Sequence, residues 1–220
     1  MSRFRDRAHA GQVLAAKLRH LAGRDDVVVL GLPRGGVPVA YEVARALAAP
    51  LDVFVVRKLG VPGHRELAMG AIASGGVRVV NDSVVRQLRI PQHVLDAAAE
   101  EELNELVRRE RLYRGERPAP QLKDRVVVVV DDGLATGSTM RAAIAALRRA
   151  EPARIVVAVP VGAAETCEEI GREVDEVVCA QSPLFFQAVG LWYENFDQTT
   201  DAEVREALER ARSFQPATPA

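Results

Sequence analysis

Residues 125–140 constrain this chain more than any other stretch. After Arg125 come five consecutive valines, Val126 to Val130. β-Branched residues favour extended backbone, and an apolar run without alternation fits a strand covered on both faces. Such a strand lies inside a parallel sheet, so the chain needs helices on either side to cover it. Asp131 and Asp132 come where the strand should end, and Thr136-Gly137-Ser138-Thr139 then lead into an alanine- and arginine-rich helix from about Met140 to Ala150. A strand, a tight turn and a helix N-terminus bring backbone N–H groups and hydroxyls to one point, which is how proteins hold a phosphate.

The two acids would repel that phosphate. They suit the hydroxyls of a sugar attached to it, with a divalent cation nearby, and the combination describes a ribose 5-phosphate. The plainer alternative is a strand end with solvated acids and a capped helix. A Walker A loop is excluded, because Gly133 and Gly137 have the wrong spacing and no lysine follows Gly137. The whole segment, Asp131-Asp132, two residues, then Ala135-Thr136-Gly137-Ser138-Thr139, resembles the signature of type I phosphoribosyltransferases, which bind phosphoribosyl pyrophosphate (PRPP). The resemblance implies that Asp131 and Asp132 engage the ribose 2′- and 3′-hydroxyls. It also implies that Ala135, Thr136, Gly137, Ser138 and Thr139 enclose the 5′-phosphate.

A second strand–turn–helix unit precedes it. Val27-Val28-Val29-Leu30 reads as a buried strand, broken at Gly31-Leu32-Pro33-Arg34-Gly35-Gly36-Val37-Pro38 and followed by a helix from about Val39 to Ala48. Gly35 and Gly36 permit close approach of backbone to a ligand, and Arg34 can clamp a phosphate through two parallel hydrogen bonds. Alone this is a connecting turn. In the resembled family it is the pyrophosphate-binding loop. The next strand, 51–56, ends at Arg57-Lys58, and two cations at a buried strand end call for an anion. The resemblance places them at the entry to a flexible loop, 59–66, that closes over pyrophosphate; His64 within it is read as solvated.

The remaining chain fits one α/β pattern. Residues 67–73 and 77–81 read as a hairpin closed by Ser74-Gly75-Gly76. Residues 91–114 read as one long helix, with Leu95, Ala99, Leu103, Leu106 and Val107 as its buried stripe and Glu105–Arg109 and Glu110–Arg114 as i,i+4 pairs. It is a packing element, and a candidate subunit contact if the protein is a homodimer. A strand at 153–159, a helix at 163–171 and a strand at 176–180 continue the alternation. The expected fold is therefore an open, mainly parallel sheet with helices on both faces. Arg34, Arg57, Lys58, Asp131 and Thr136 would all lie at the carboxyl ends of its strands, where such sheets bind ligands.

Two segments frame this core. Near the start, Arg3, Arg5 and Arg7 precede an amphipathic helix capped by Asp6, with Val13, Leu14, Leu18 and Leu21 on its apolar face. The arginines read as solvated, with an anionic ligand as the alternative. Near the end, five of the ten aromatic residues fall between 185 and 196. Trp192, Tyr193 and Phe196 are the candidate base pocket, with Glu194 or Asn195 reading the edge of a heterocycle; simple packing against the core is the even alternative. A terminal helix over 201–212 and a frayed Pro- and Ala-rich tail complete the chain.

At 220 residues with a formal net charge of −1, the expectation is a single phosphoribosyltransferase-like domain over 1–220. It would carry the inserted helix 91–114 and a small hood that includes 181–220. Neither nucleic acid nor membrane is an expected partner, and the expected location is cytoplasmic. Cys167 and Cys179 are too few for a disulfide framework and read as small buried hydrophobes. The expected reaction moves a phosphoribosyl group from PRPP to a nitrogenous base and releases pyrophosphate. Asp131, Asp132, Arg34 and Lys58 carry it, with Mg²⁺ held mainly by PRPP. Two rivals share the ligand chemistry: a non-catalytic PRPP or nucleotide sensor, and a phosphosugar hydrolase. Members of the family that act on 6-oxopurines typically carry an acid where this chain has Ala135, which disfavours hypoxanthine and guanine as acceptors.

Overall fold

The computed structural model describes residues 2–214, apart from the side chains of Arg65 and Glu66. The terminal tail 215–220 lies outside the described residues. The chain opens with α1 (Arg7–Lys17), whose cap Asp6 accepts a hydrogen bond from His9 N at 2.8 Å. Next come β1 (Val27–Gly31), α2 (Gly36–Leu47) and β2 (Leu51–Val53). Three strands come after these, β3 (Val56–Val61), β4 (His64–Ala73) and β5 (Val77–Val80), then the helices α3 (Asp82–Gln87) and α4 (Gln92–Arg114). The chain then returns through β6 (Val126–Val130), α5 (Ser138–Arg148), β7 (Arg154–Val161), α6 (Ala164–Gly171), β8 (Glu176–Gln181) and α7 (Asp201–Arg210).

The main sheet has the order β2-β1-β6-β7-β8, and every neighbouring pair in it is parallel. The valine run is β6, flanked by β1 and β7 and buried at every position. Its side chains divide by parity, as a strand's must. Val126, Val128 and Val130 join a core built with α1 and α2, through Leu14, Ala40, Val43 and Leu47. Val127 and Val129 join a core on the other face with Met140, Ile144 and Leu147 of α5 and Ile170 of α6. The unbroken apolar run is thus a consequence of two helical layers.

From β1 the chain crosses to β2 on one side, whereas β6 lies on the other. The strand order therefore reverses between β1 and β6. A reversal of that kind opens a crevice at the carboxyl ends of the two strands, because the connections leave in opposite directions. The Arg34 turn succeeds β1 and the Asp131–Thr139 turn succeeds β6, so both empty into this crevice.

The expected strand 51–56 is two strands. β2 stops at Val53, and β3 belongs to a separate antiparallel sheet, β3-β4-β5. Arg114 at the end of α4 accounts for the break. It is buried against β2, bridges to Asp52 Oδ2 at 3.0 Å and donates to the Val53 carbonyl at 3.3 Å. The flexible loop expected over 59–66 is instead largely hairpin, since Val61 pairs with His64 across Pro62-Gly63. The short helix α3 has no counterpart among the elements expected from sequence. Within α4, Leu95, Ala99 and Leu106 are buried as expected, but Val107 is 52% exposed and faces away from the stripe.

α4 is tied to α7 by Tyr113, which is buried and donates its hydroxyl to Asp201 Oδ1 at 2.6 Å. Burial, then the bond to Asp201, pushes the phenol up to about 12. A raised phenol pKa contributes stability that is fully present below the ordinary value near 10 and lost as pH climbs through about 12. At pH 7 the whole contribution is present. Tyr113→Phe should therefore lower stability by about 1.5–3 kcal/mol, the range for a hydrogen bond to a charged group. In urea titration at pH 7 the midpoint should fall with an unchanged slope.

Candidate active site

Two turns build the crevice. After β6 come Asp131 and Asp132, then Leu134, which pairs with Gly162 at the end of β7 and so fixes the turn to the sheet. Gly137 adopts φ 72°, a left-handed conformation natural to glycine, and immediately precedes α5. α5 starts at Ser138, two residues earlier than the sequence suggested, so Ser138, Thr139 and Met140 form its first turn. Their N–H groups are among those a helix leaves without internal partners. The hydroxyls of Thr136 and Ser138 lie 3.4 Å apart on exposed residues. A pocket of 160 Å³ is lined by Asp131, residues 133–140 and Val189.

The Arg34 turn lies directly against the acids. The Pro33–Arg34 peptide is cis, and α2 begins at Gly36 rather than Val39; Pro38 is accommodated because the first helical turn has no N–H to lose. A Cβ on Gly35 would meet Asp132 Oδ2 at 2.0 Å, and one on Gly36 would meet the Val130 carbonyl at 2.6 Å. Only glycine permits this approach. The structure thus brings Gly35 and Gly36 together with Asp131 and Asp132, from turns about a hundred residues apart in sequence, and places Arg34 beside them in the same turn.

A third component comes from the start of the chain. Arg7 lies with its Nη2 2.8 Å and its Nε 2.9 Å from Asp132 Oδ2, donates from Nη1 to the Asp197 carbonyl at 2.6 Å, and stacks 4.0 Å from the Phe196 ring centroid. Tyr193 donates its hydroxyl to the Asp132 carbonyl at 2.6 Å. Phe4 N donates to the Trp192 carbonyl, and Glu194 N to the Phe4 carbonyl. Residues 4–7 and 192–197 are therefore one hood clamped onto the second acid. Its anionic partner is a protein carboxylate, and sequence reasoning missed the contact because the two residues are 125 positions apart.

This arrangement corrects the aromatic assignment. Tyr193 is buried against Phe4, and its ring lies 4.9 Å from that of Phe196, whose face is covered by Arg7. Trp192 packs on the same cluster. These rings pack as hood structure, the alternative the sequence left even, with Tyr193 buried and Trp192 and Phe196 half-buried. The large apolar side chains left open in this region are Leu184 and Phe185, 92% and 89% exposed, and Leu191, 51% exposed.

Arg57 and Lys58 are corrected too. They lie within β3 rather than at the end of a central strand, in a sheet half open to solvent, where a cation needs no ligand. Arg57 donates to Glu102 Oε2 on α4 at 2.6 Å. Lys58 lines a 570 Å³ groove between the hairpin and α4, with His93, Glu101 and Glu102. A further cavity of 680 Å³, lined by Gly23, Asp25, Ala48, Pro50 and Arg125, borders the amino-terminal ends of β1 and β6. Both exceed the pocket at the turn in size, but neither has its convergence of helix N–H groups, hydroxyls and carboxylates.

Burial first, and then the charge of Asp132, drives the Asp131 carboxyl well above the ordinary range. Asp132 is also raised by burial, and Arg7 holds it down in part. Asp132 N donates to Asp131 Oδ1 at 2.9 Å, within the pair. Among the described residues no three His, Cys, Asp or Glu side chains cluster to hold a metal ion. No described helix is long and apolar enough to cross a membrane.

The comparisons with known proteins agree with this geometry. The phosphoribosyl transferase domain model matches residues 5–194. Two Mycobacterium tuberculosis proteins provisionally named phosphoribosyl transferases, MT0597 and Rv0571c, are each 50% identical over 211 residues. The match takes in 96% of this chain and 47% of each of those proteins, so the chain spans about half the length of the curated relatives it matches. The crystal structure of TT1426 from Thermus thermophilus superposes with a TM-score of 0.84 at 45% identity, over 94% of this chain and 98% of that one. The chain belongs to the phosphoribosyltransferase family, and its sheet and helices are the type I fold of that family.

The acid pair carries a stability cost that can be measured. A carboxyl whose pKa is raised by folding adds stability below its unfolded value near 4 and loses it as pH rises through its folded value. At pH 8 Asp131 therefore costs stability relative to low pH, whereas asparagine keeps the acceptor for Asp132 N and has no proton to lose. Asp131→Asn should raise the melting temperature at pH 8 by about 2 °C or more, the shift that about 1 kcal/mol produces in a domain of this size. The gain should shrink at pH 4. Differential scanning calorimetry at the two pH values decides it; a lower melting temperature at pH 8 would show that the charge is compensated.

Proposed function

We propose that this chain transfers a 5-phosphoribosyl group from PRPP to a nitrogenous base, releasing pyrophosphate and forming a nucleotide. The observation that carries this reading is the contact of Gly35 and Gly36 with Asp131 and Asp132 at the reversal point of the sheet. One crevice thereby has an anion-binding helix start on one side, a glycine turn with a cation on the other, and two carboxylates between. The 5′-phosphate goes to the first turn of α5 and to Thr136, Ser138 and Thr139. The ribose hydroxyls go to Asp131 and Asp132. The departing pyrophosphate goes to Arg34 and to the N–H groups of the Gly35-Gly36 turn. Arg57 and Lys58, placed at pyrophosphate by the sequence, have no part in this assignment.

The transition state of such a transfer is loose, with positive charge developing on the ribose, so catalysis is positioning plus charge stabilisation of the leaving group. Magnesium fits the carboxylate and hydroxyl oxygens of the site, and would be held mainly by the pyrophosphate with Asp131 or Asp132 in support, its charge offsetting that of the leaving group. A non-catalytic nucleotide sensor on the same fold would use the same contacts, so turnover is the point to test.

The acceptor is the first test. Ala135 presents a methyl group where an acid would assist proton transfer on a 6-oxopurine. With PRPP and Mg²⁺ saturating, pyrophosphate release should depend on an added base, with adenine or a base outside the common salvage set favoured. Hypoxanthine and guanine should be poor, with kcat/KM below about 10⁴ M⁻¹ s⁻¹. Equal release with no base would make the protein a hydrolase, and PRPP binding without release across the panel would make it a sensor.

The leaving-group assignment is the second. Arg34→Ala should cut turnover by roughly 10²–10³, as does loss of one preorganised donor. Affinity for ribose 5-phosphate, which lacks the pyrophosphate, should stay within about twofold by calorimetry. A parallel fall in both would move Arg34 to the 5′-phosphate or to the fold.

A further inference from the structure

The phosphate turn rests on the end of β7. Leu134 N donates to the Val161 carbonyl, and Ala163 N donates back to the Leu134 carbonyl, each at 2.9 Å. α6 starts immediately afterwards, and its Thr166 hydroxyl donates to the Ala135 carbonyl at 2.8 Å. The residue after Thr166 is Cys167. Its sulfur and that of Cys179, which comes from β8, the neighbour of β7, both lie beside Gly162.

Both cysteines are free and half-buried, packed against the core on the α5 face, so the expectation of small buried hydrophobes holds in part. Their sulfurs crowd one point: a Cβ added to Gly162 would sit 2.6 Å from Cys167 Sγ and 3.3 Å from Cys179 Sγ. Gly162 is the residue that leaves room for the pair. Cys179 Sγ also lies 3.1 Å from the Gln181 carbonyl.

We propose that Cys167 and Cys179 form a two-cysteine oxidation site that closes reversibly to a disulfide, with a hydroperoxide as oxidant. Cys179 is the attacking thiol. The neighbouring Cys167 thiol, and after it Ser182, hold its thiol down to about 7 despite burial, while Cys167 is pushed up. Thiolates, not thiols, attack peroxides. The Cys179 sulfur bonds to the outer peroxide oxygen and the O–O bond breaks, leaving hydroxide or alkoxide that takes up a proton. Cys179 is then a sulfenic acid. The Cys167 sulfur attacks it, the S–S bond forms and the S–O bond breaks, and hydroxide leaves with the Cys167 proton as water. Two electrons pass from the sulfurs to the peroxide, and a dithiol returns them by thiol–disulfide exchange.

The bond would join α6 to β8 directly behind the phosphate turn, next to the Thr166 hydroxyl that holds Ala135. Oxidation state is thereby linked to the turn, whichever ligand the turn takes.

Peptide mapping of the full chain after hydrogen peroxide tests this. The peptides carrying Cys167 and Cys179 should appear linked within one chain, about 2 Da lighter than the two reduced peptides together, and separate again with dithiothreitol. Cys167→Ser should stop at a sulfenic acid on Cys179 that dimedone traps. Cys179→Ser should slow reaction at Cys167 about tenfold or more. Amide exchange over residues 134–137 should differ between the reduced and oxidised chain. Wild type that only adds oxygen, links that form only between chains, or Cys167 reacting as fast without Cys179 would overturn the site. Identical exchange in the two states would overturn its link to the turn. None of these readouts depends on PRPP turnover.

Discussion

The parallel pairing of β1 with β6 governs everything else in this molecule. Val27 to Gly31 align with Val126 to Val130 without a register shift, so the two strands end level. The turns that leave them must then share one space. A slip of one residue would carry one turn about 3.3 Å past the other, so the pairing in this register holds the Arg34 turn against Asp131 and Asp132.

That closeness requires specific residues. Two adjacent carboxylates beside a packed backbone oppose each other and lose solvation, as the raised Asp131 and Asp132 show. Arg7 offsets part of the cost at Asp132, yet it leaves Asp131 without a cation of its own among the described residues. Glycine at 35 and 36 removes the side chains that would otherwise push the turn away from the acids. An arrangement that gives up stability at one point, held by strong packing elsewhere, is characteristic of a ligand site rather than of a structural core.

Most of the central sheet was legible because local pattern and tertiary role coincide there. Val126–Val130 is apolar at every position because both faces are covered, and a single helical layer would have left an alternating pattern. The turn after it was legible from residue chemistry, which needs no partner. The second sheet was not: Arg57 and Lys58 come after an apolar run whether the strand continues or breaks, and the break depends on Arg114, more than sixty positions later. The hood was illegible for the same reason. Arg7, Tyr193 and Phe196 acquire their roles from contacts with Asp132 and with one another, and no local spacing records them. Likewise, Cys167 and Cys179 look unrelated in sequence and become neighbours only through the pairing of β7 with β8.

The hood contact also determines what remains of Asp132 for a ligand. Both Arg7 contacts converge on Oδ2, and Gly35 closes on the same oxygen. A sugar hydroxyl approaching Asp132 therefore has Oδ1 to donate to. On Asp131, Oδ1 already accepts the Asp132 N–H, which directs a second hydroxyl to Oδ2. The proposed ribose contacts thus reduce to one oxygen from each acid, which is the pattern two neighbouring hydroxyls need. Arg7 selects the free oxygen and keeps its carboxylate in one orientation, while the cation–π contact with Phe196 and the bond to the Asp197 carbonyl keep Arg7 itself in place. In the proposed complex a residue that does not touch the sugar would thus decide the geometry with which the sugar is held, and would couple it to the packing of both chain segments in the hood.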